Sequence, residues 1–151
     1  MRTLARAADL ADIIRRLQTV RSGAAAKWGR MSAHQMVCHL ADSMRMALNK
    51  RPTSTATGPL QQTLIKWIAL YGPLPWPAGI QTRPETDQEA GGTRPLNFDA
   101  DMENLESLLR SMTDEQMPTC PTHPIFGPMS RPAWLRWAYL HADHHLRQFG
   151  A

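Results

Sequence analysis

Apolar side chains recur every three or four residues along five stretches of the chain, and clusters of Pro, Gly and Thr separate them. In the first stretch Leu10, Ile13, Ile14, Leu17 and Val20 predict an amphipathic helix over 9–21, with Asp9 as its cap and Ser22-Gly23 as its stop. Ser32, with Gln35 three positions on, reads as a capping box that opens a second helix over 32–49, ended by Lys50-Arg51-Pro52. A third helix over 59–71 stops where prolines at 73, 75 and 77 deny the backbone its donors. Met102, Leu105, Leu108, Leu109 and Met112 predict a fourth over 99–112, with Asp99 as its cap. The fifth runs over 131–148, starting after Ser130, tolerating Pro132 in its first turn and stopping at Gly150. Strand alternation is absent, so the expected fold is all-α. An antiparallel four-helix bundle with one extra helical segment, a single domain over 1–151, is the default architecture. Two long Pro-rich loops interrupt it, and the one over 72–95 has the length of a lid over a site.

Composition narrows the class. Five Trp and 42% hydrophobic residues among 151 supply one hydrophobic core and exclude a disordered chain. Two cysteines, Cys38 and Cys120, make neither a disulfide framework nor a structural zinc site. No window approaches the roughly 20 apolar residues of a membrane span, and Asp9 and Asp12 interrupt the N-terminus where a signal segment would be apolar. A soluble, unprocessed cytoplasmic protein is expected, without a membrane partner. Residues 1–75 carry eleven Lys/Arg against three Asp, and 76–151 carry six Arg against ten acids. The basic half is expected to face the acidic half. Its cations are scattered over helix faces and loops without an aromatic-studded basic stripe, so nucleic acid is not an expected partner.

Six histidines carry the candidate chemistry. At about 100° per residue, Trp134, Trp137, Ala138, His141, His145 and Gln148 share one face of the fifth helix. His144 lies on its flank, while Arg136, Asp143 and Arg147 fall on the opposite side and are expected to meet solvent. His141 and His145, one turn apart, can present two imidazoles to one ion, as helical zinc motifs do, although the glutamate of HExxH is missing. On the second helix His39 borders the apolar face of Met36, Leu40, Ser43 and Ala47 and can complete a triad. Three neutral imidazoles leave one exchangeable position on Zn²⁺, Ni²⁺ or Fe²⁺. Any one of these histidines could equally be a core residue. His34, on the far side of its helix, and His123, in a Pro-rich loop, are the poorer candidates. Cys38 points about 100° away from His39 and is expected to be a packed thiol. A Ser43, His141, Asp143 triad fails because Asp143 points away from His141.

Two segments carry a family likeness. MSAHQMVCHLADS at 31–43 resembles the second-helix motif of the DinB-like (YfiT-like) superfamily, and LHADHHLRQFG at 140–150 resembles its last-helix motif H-x-x-x-H-R-G-Q. His141, His145 and Gln148 fall in register, whereas Leu146 and Arg147 replace the Arg-Gly pair. WGRMSAHQM at 28–36 together with 123–150 is similar to a bacterial branch of that superfamily catalogued as a domain of unknown function. The resemblance implies an antiparallel four-helix bundle, often a homodimer, in which His39, His141 and His145 bind one divalent metal. It also implies relatives that are metal-dependent thiol transferases, or isomerases with a low-molecular-weight thiol as cofactor.

Two functions follow as expectations. One is a metal-dependent thiol S-transferase or related enzyme acting on a small molecule, with Zn or Ni favoured over Fe. In it Asp42, His144 and Gln148 would orient the ligands or carry protons, and the basic half would attract an anionic thiol. For Asp42 a solvated surface position is the plainer alternative. The other is a non-catalytic metal-binding or dimerising bundle with a degenerate site. A metal-dependent hydrolase is weaker, because no glutamate base stands beside the triad.

Overall fold

The computed structural model describes residues 1–80, 82–114 and 121–151; Cys120 and part of the second Pro-rich loop lie outside them. Five α-helices form: α1 (Ala7–Leu17), α2 (Ala33–Ala47), α3 (Lys66–Tyr71), α4 (Phe98–Ser111) and α5 (Arg131–Gln148). A π-helical turn over Gln61–Ile65 leads into α3, and a 3-10 turn over Pro84–Thr86 interrupts the long loop. Among the described residues there is no strand, only an isolated bridge between His123 and Gly127, so the class is all-α.

The caps explain where the helices begin. Ser32 accepts from the Gln35 backbone N–H while the Gln35 side chain accepts from the Ser32 N–H, the reciprocal box its spacing predicts. Replacing Ser32 by alanine is expected to cost about 1 kcal/mol, seen as a lower denaturant midpoint with an unchanged slope. Neither Asp9 nor Asp99 is a cap. The cap of α4 is Asn97, which accepts from the Ala100 N–H, and Asp99 sits in the first turn, where a carboxylate suits the helix dipole. Asp9 occupies the same place in α1 and accepts from the Thr3 N–H at 3.0 Å, tying down the N-terminal segment. Helix α1 also ends at Leu17, four residues short of 21, yet Val20 is buried in the turn that follows. The apolar period outlasts the helix there. The third stretch is helical over 59–71, but it passes through the π-helical turn, where Thr63 Oγ1 donates back to the Pro59 carbonyl, a bond that competes with the regular ladder.

Helix α2 packs on α4 and α5, α1 packs on the same two, and α3 lies against α5. Leu40, Met44, Leu105, Leu109 and Trp134 fill the space between them. Trp134 and Trp137 are both buried, meeting edge to face at 5.2 Å, as their place on the histidine face predicts. The opposite face of α5 is not the solvent side. Asp143 accepts from Arg16 at 2.8 Å and from Arg147 at 3.0 Å, and Arg136 donates to the Leu70 and Arg2 carbonyls, because α1 and α3 cover that face. The basic half does meet acids: besides Arg16 with Asp143, Arg30 pairs with Asp87 and Glu89. Among the described residues no helix is long and apolar enough to cross a membrane.

Candidate metal centre

Helices α2 and α5 bring His39, His141 and His145 together. One nitrogen from each lies within 4.8 Å of the others, a set that could hold a metal ion. The rings form a nearly equilateral triangle, with centroids 5.0 Å (His39–His141), 4.8 Å (His39–His145) and 4.9 Å (His141–His145) apart. His39 Nε2 and His141 Nε2 are 3.1 Å apart. Two nitrogens on a tetrahedral zinc ion at bonds of about 2.0–2.1 Å stand about 3.3 Å apart, so little movement separates this arrangement from a ligating one.

Outer hydrogen bonds decide which nitrogens face inward. His39 Nδ1 lies 2.7 Å from the Thr86 carbonyl, which can only accept, so Nδ1 carries the proton and Nε2 keeps its lone pair. For His145 the amide of Gln148 does the same. Its Nε2 donates to the Trp28 carbonyl at 2.7 Å, which turns Oε1 toward His145 Nδ1 at 2.8 Å and makes that nitrogen the donor. Gly29 permits this contact. With φ of 76° it is in the left-handed region, and a Cβ there would stand 2.9 Å from the Gln148 amide nitrogen. His141 differs, since its Nδ1 is buried without a partner. With its proton on Nε2 it donates to His39 Nε2; a cation held by both Nε2 lone pairs would take the place of that bond and move the His141 proton to Nδ1.

All three imidazoles are held neutral, the form that ligates. Burial pushes His141 and His145 well below the usual imidazole range, and the neighbouring rings push them further. His39 is also lowered by burial, opposed by the Thr86 carbonyl and by Asp42 and Asp87. Half-buried His144 is lowered by burial and by Arg147, its ring 5.1 Å from that of His145, and its Nδ1 has no partner. Trp76 covers the cluster, its ring 6.0 Å from His141 and 6.3 Å from His144, with its indole N–H on the Ala69 carbonyl.

Asp42 is buried, not solvated. Its Oδ1 accepts from Arg45, Arg51 and the Thr93 hydroxyl, and its Oδ2 from the Thr93 N–H and the Gln88 amide. With its oxygens so engaged it touches no imidazole. Instead it pins the loop over 84–93 to α2, the loop that supplies the Thr86 carbonyl to His39. The remaining histidines stand apart. His34 Nε2 lies 2.7 Å from Asp101 Oδ2, and His123 is wedged among Phe126, Trp134 and Trp137. Cys38 faces Asp101 and not the imidazole cluster; burial, with that carboxylate, pushes its thiol up to about 12.

Thr86 and Trp76 belong to the site without having been legible as such, because a backbone carbonyl and a loop tryptophan carry no spacing signal. The whole assembly, from Trp28 to Gln148, falls inside a family match that covers residues 2–151. The chain belongs to the family described as "Protein of unknown function (DUF1569)". No curated protein and no solved structure matches it. Within this DUF1569 chain the Leu146-Arg147 pair has local structural work. Leu146 is fully buried in the core, and Arg147 is tied to Asp143. Replacing Gln148 by leucine, which frees the His145 ring and strands the Trp28 carbonyl, is expected to weaken Zn²⁺ binding by about 10–100-fold. Calorimetric titration beside an unchanged helical spectrum checks this.

Proposed function

We propose that this protein is a metal-dependent enzyme of DinB-like type, a thiol S-transferase or a related enzyme acting on a small molecule. In this reading α1, α2, α4 and α5 form one antiparallel four-helix bundle, α3 being the extra segment. The mutual contacts of those four helices support it. The observation that carries the function is the convergence of three neutral imidazoles, two with their outer nitrogens tied and the third with its outer nitrogen orphaned. Zn²⁺ or Ni²⁺ fits such donors best, with Fe²⁺ acceptable. A divalent ion held there would lower the pKa of a thiol at its remaining position and keep it as thiolate at neutral pH.

Charge favours an anion, thiolate or hydroxide, at the open position. Neutral ligands leave the ion's two positive charges uncompensated in a buried site, so an anionic partner is strongly preferred. Hydrolysis would also need a general base, and the carboxylate of Asp42 is fully engaged elsewhere. His144, neutral and with a free ring nitrogen beside His145, is placed to take the thiol proton.

The test is competition for the open position. Adding a low-molecular-weight thiol to protein loaded with Co²⁺ at this centre should produce sulfur-to-cobalt absorption, and His141→Ala should abolish it. A loaded centre whose spectrum no thiol changes would sink the transferase reading. One observation favours a second reading, the non-catalytic homodimerising bundle: Leu60, Leu64, Trp67, Ile68, Tyr71 and Leu74 are exposed on and around α3. Together they offer roughly 700 Å², close to what each partner gives to a stable interface. A dimer that binds metal but never a thiol would favour it.

A further inference from the structure

Helix α2 carries a second set of ligating side chains on a different seam. His34 and Cys38, four residues apart, share the face of α2 that meets Asp101 in α4, whereas His39, about 100° round the helix, meets α5. One donor atom from each of the three lies within 4.8 Å of the others. We propose that His34, Cys38 and Asp101 form a second divalent-metal site, selective for a borderline-soft cation such as Zn²⁺ and independent of the three-histidine centre.

Geometry comes first. Cys38 Sγ and Asp101 Oδ2 are 3.6 Å apart. That is about the separation of a thiolate sulfur and a carboxylate oxygen on one tetrahedral zinc ion with bonds of about 2.3 and 2.1 Å. His34 Nε2 is closer, 2.7 Å from the same oxygen, and must draw back by roughly 0.6 Å to become a ligand. It is free to do so, because its side chain is partly exposed and, among the described contacts, is packed only against the edge of Phe98. In the ion-free state the His34 ring, the Cys38 thiol and the Leu96 N–H all crowd onto Asp101 Oδ2. An ion bound here would take the places of the His34 and Cys38 donors on that oxygen.

Charge makes the second point. Thiolate and carboxylate together neutralise a dication, so this site holds Zn²⁺ at net zero charge, and binding releases the thiol proton to solvent. A soft sulfur with nitrogen and oxygen donors favours Zn²⁺ over Mg²⁺ or Ca²⁺, which take oxygen ligands. Cys38 is buried, but His34 and Asp101 reach the surface and give the ion its way in.

Sulfur makes the site separable from the histidine centre. Full-length protein in thiol-free buffer with a phosphine reductant is titrated with Co²⁺ and then Zn²⁺. The expected result is two ions bound per chain and a sulfur-to-cobalt charge-transfer band that appears without any added thiol. The band should survive His141→Ala and Cys120→Ser and vanish in Cys38→Ser. Asp101→Asn, which keeps the side-chain shape and removes the charge, should lower Co²⁺ affinity at this site at least tenfold with an unchanged helical spectrum. A band that persists in Cys38→Ser, or no band in folded wild-type protein at saturating Co²⁺, would overturn the proposal. Failure of the histidine centre would instead show as no effect of His141→Ala on binding to folded Cys38→Ser protein.

Discussion

Replacing His141 by alanine is expected to lower Zn²⁺ affinity at the histidine centre by more than about 100-fold, beyond what losing an outer partner costs. Measured in a Cys38→Ser background, calorimetry reads that centre alone. His39→Ala and His145→Ala should match it, because the three rings stand at nearly equal centroid separations and none is a spare. His34→Ala and His123→Ala should leave this affinity unchanged, since neither ring lies in the cluster. The ion-free His141→Ala protein should remain folded. The ring it loses carries a buried nitrogen without a partner and is held neutral by burial first and by the neighbouring rings second, so a removed polar penalty offsets part of the cavity left behind. If all three alanine variants bind Zn²⁺ as the parent does, the centre and the enzyme built on it both fall.

Much of that centre was legible because helices repeat. His141, His145 and Gln148 lie on one face of α5 by periodicity alone, and Gln148 meets His145 three residues back. The capping box at Ser32 fixed where α2 begins and therefore which way His39 points. What was not legible is what the loops do. Nothing in the segment over 72–95 marks Thr86 as the carbonyl that sets the His39 tautomer, or Trp76 as the cover over His141. Both depend on tertiary contacts that have no period.

Asp42 shows the same boundary from the other side. Its position three residues after His39 suggests a group that orients the ligands or carries protons, or else a solvated surface group; it is buried, touches no imidazole and reaches His39 only through the loop it holds. Two arginines, a threonine and a glutamine from outside the helix face of His39 enclose it. The pairing of α2 with α4 through His34 and Asp101 was likewise invisible, because their 67-residue separation is bridged only by the fold.

The stability of the ion-free protein is expected to fall steeply below about pH 6.5, and His123, outside the metal centre, isolates one cause. Its Nδ1 accepts from the Ile125 and Phe126 N–H groups at 3.1 and 3.0 Å, while its Nε2 is buried without a partner against Phe126, Trp134 and Trp137. Burial lowers it to about 3. The folded state therefore keeps this ring neutral while the unfolded chain takes up a proton below about pH 6.5. Acid then favours the unfolded state by about 1.4 kcal/mol per pH unit, so stability present above pH 6.5 is lost as the pH falls toward 3. Asparagine at 123 can keep the acceptor that closes the turn, since its Oδ1 stands where Nδ1 does, but it cannot titrate. At pH 7 His123→Asn should be the less stable protein, having lost the ring's packing. Between pH 6.5 and 4.5 the difference should shrink by about 1.4 kcal/mol per unit, read from denaturant unfolding in chelator at matched ionic strength. A gap that stays constant over that range would mean that His123 is protonated in the folded state and that its aromatic cage does not exclude charge.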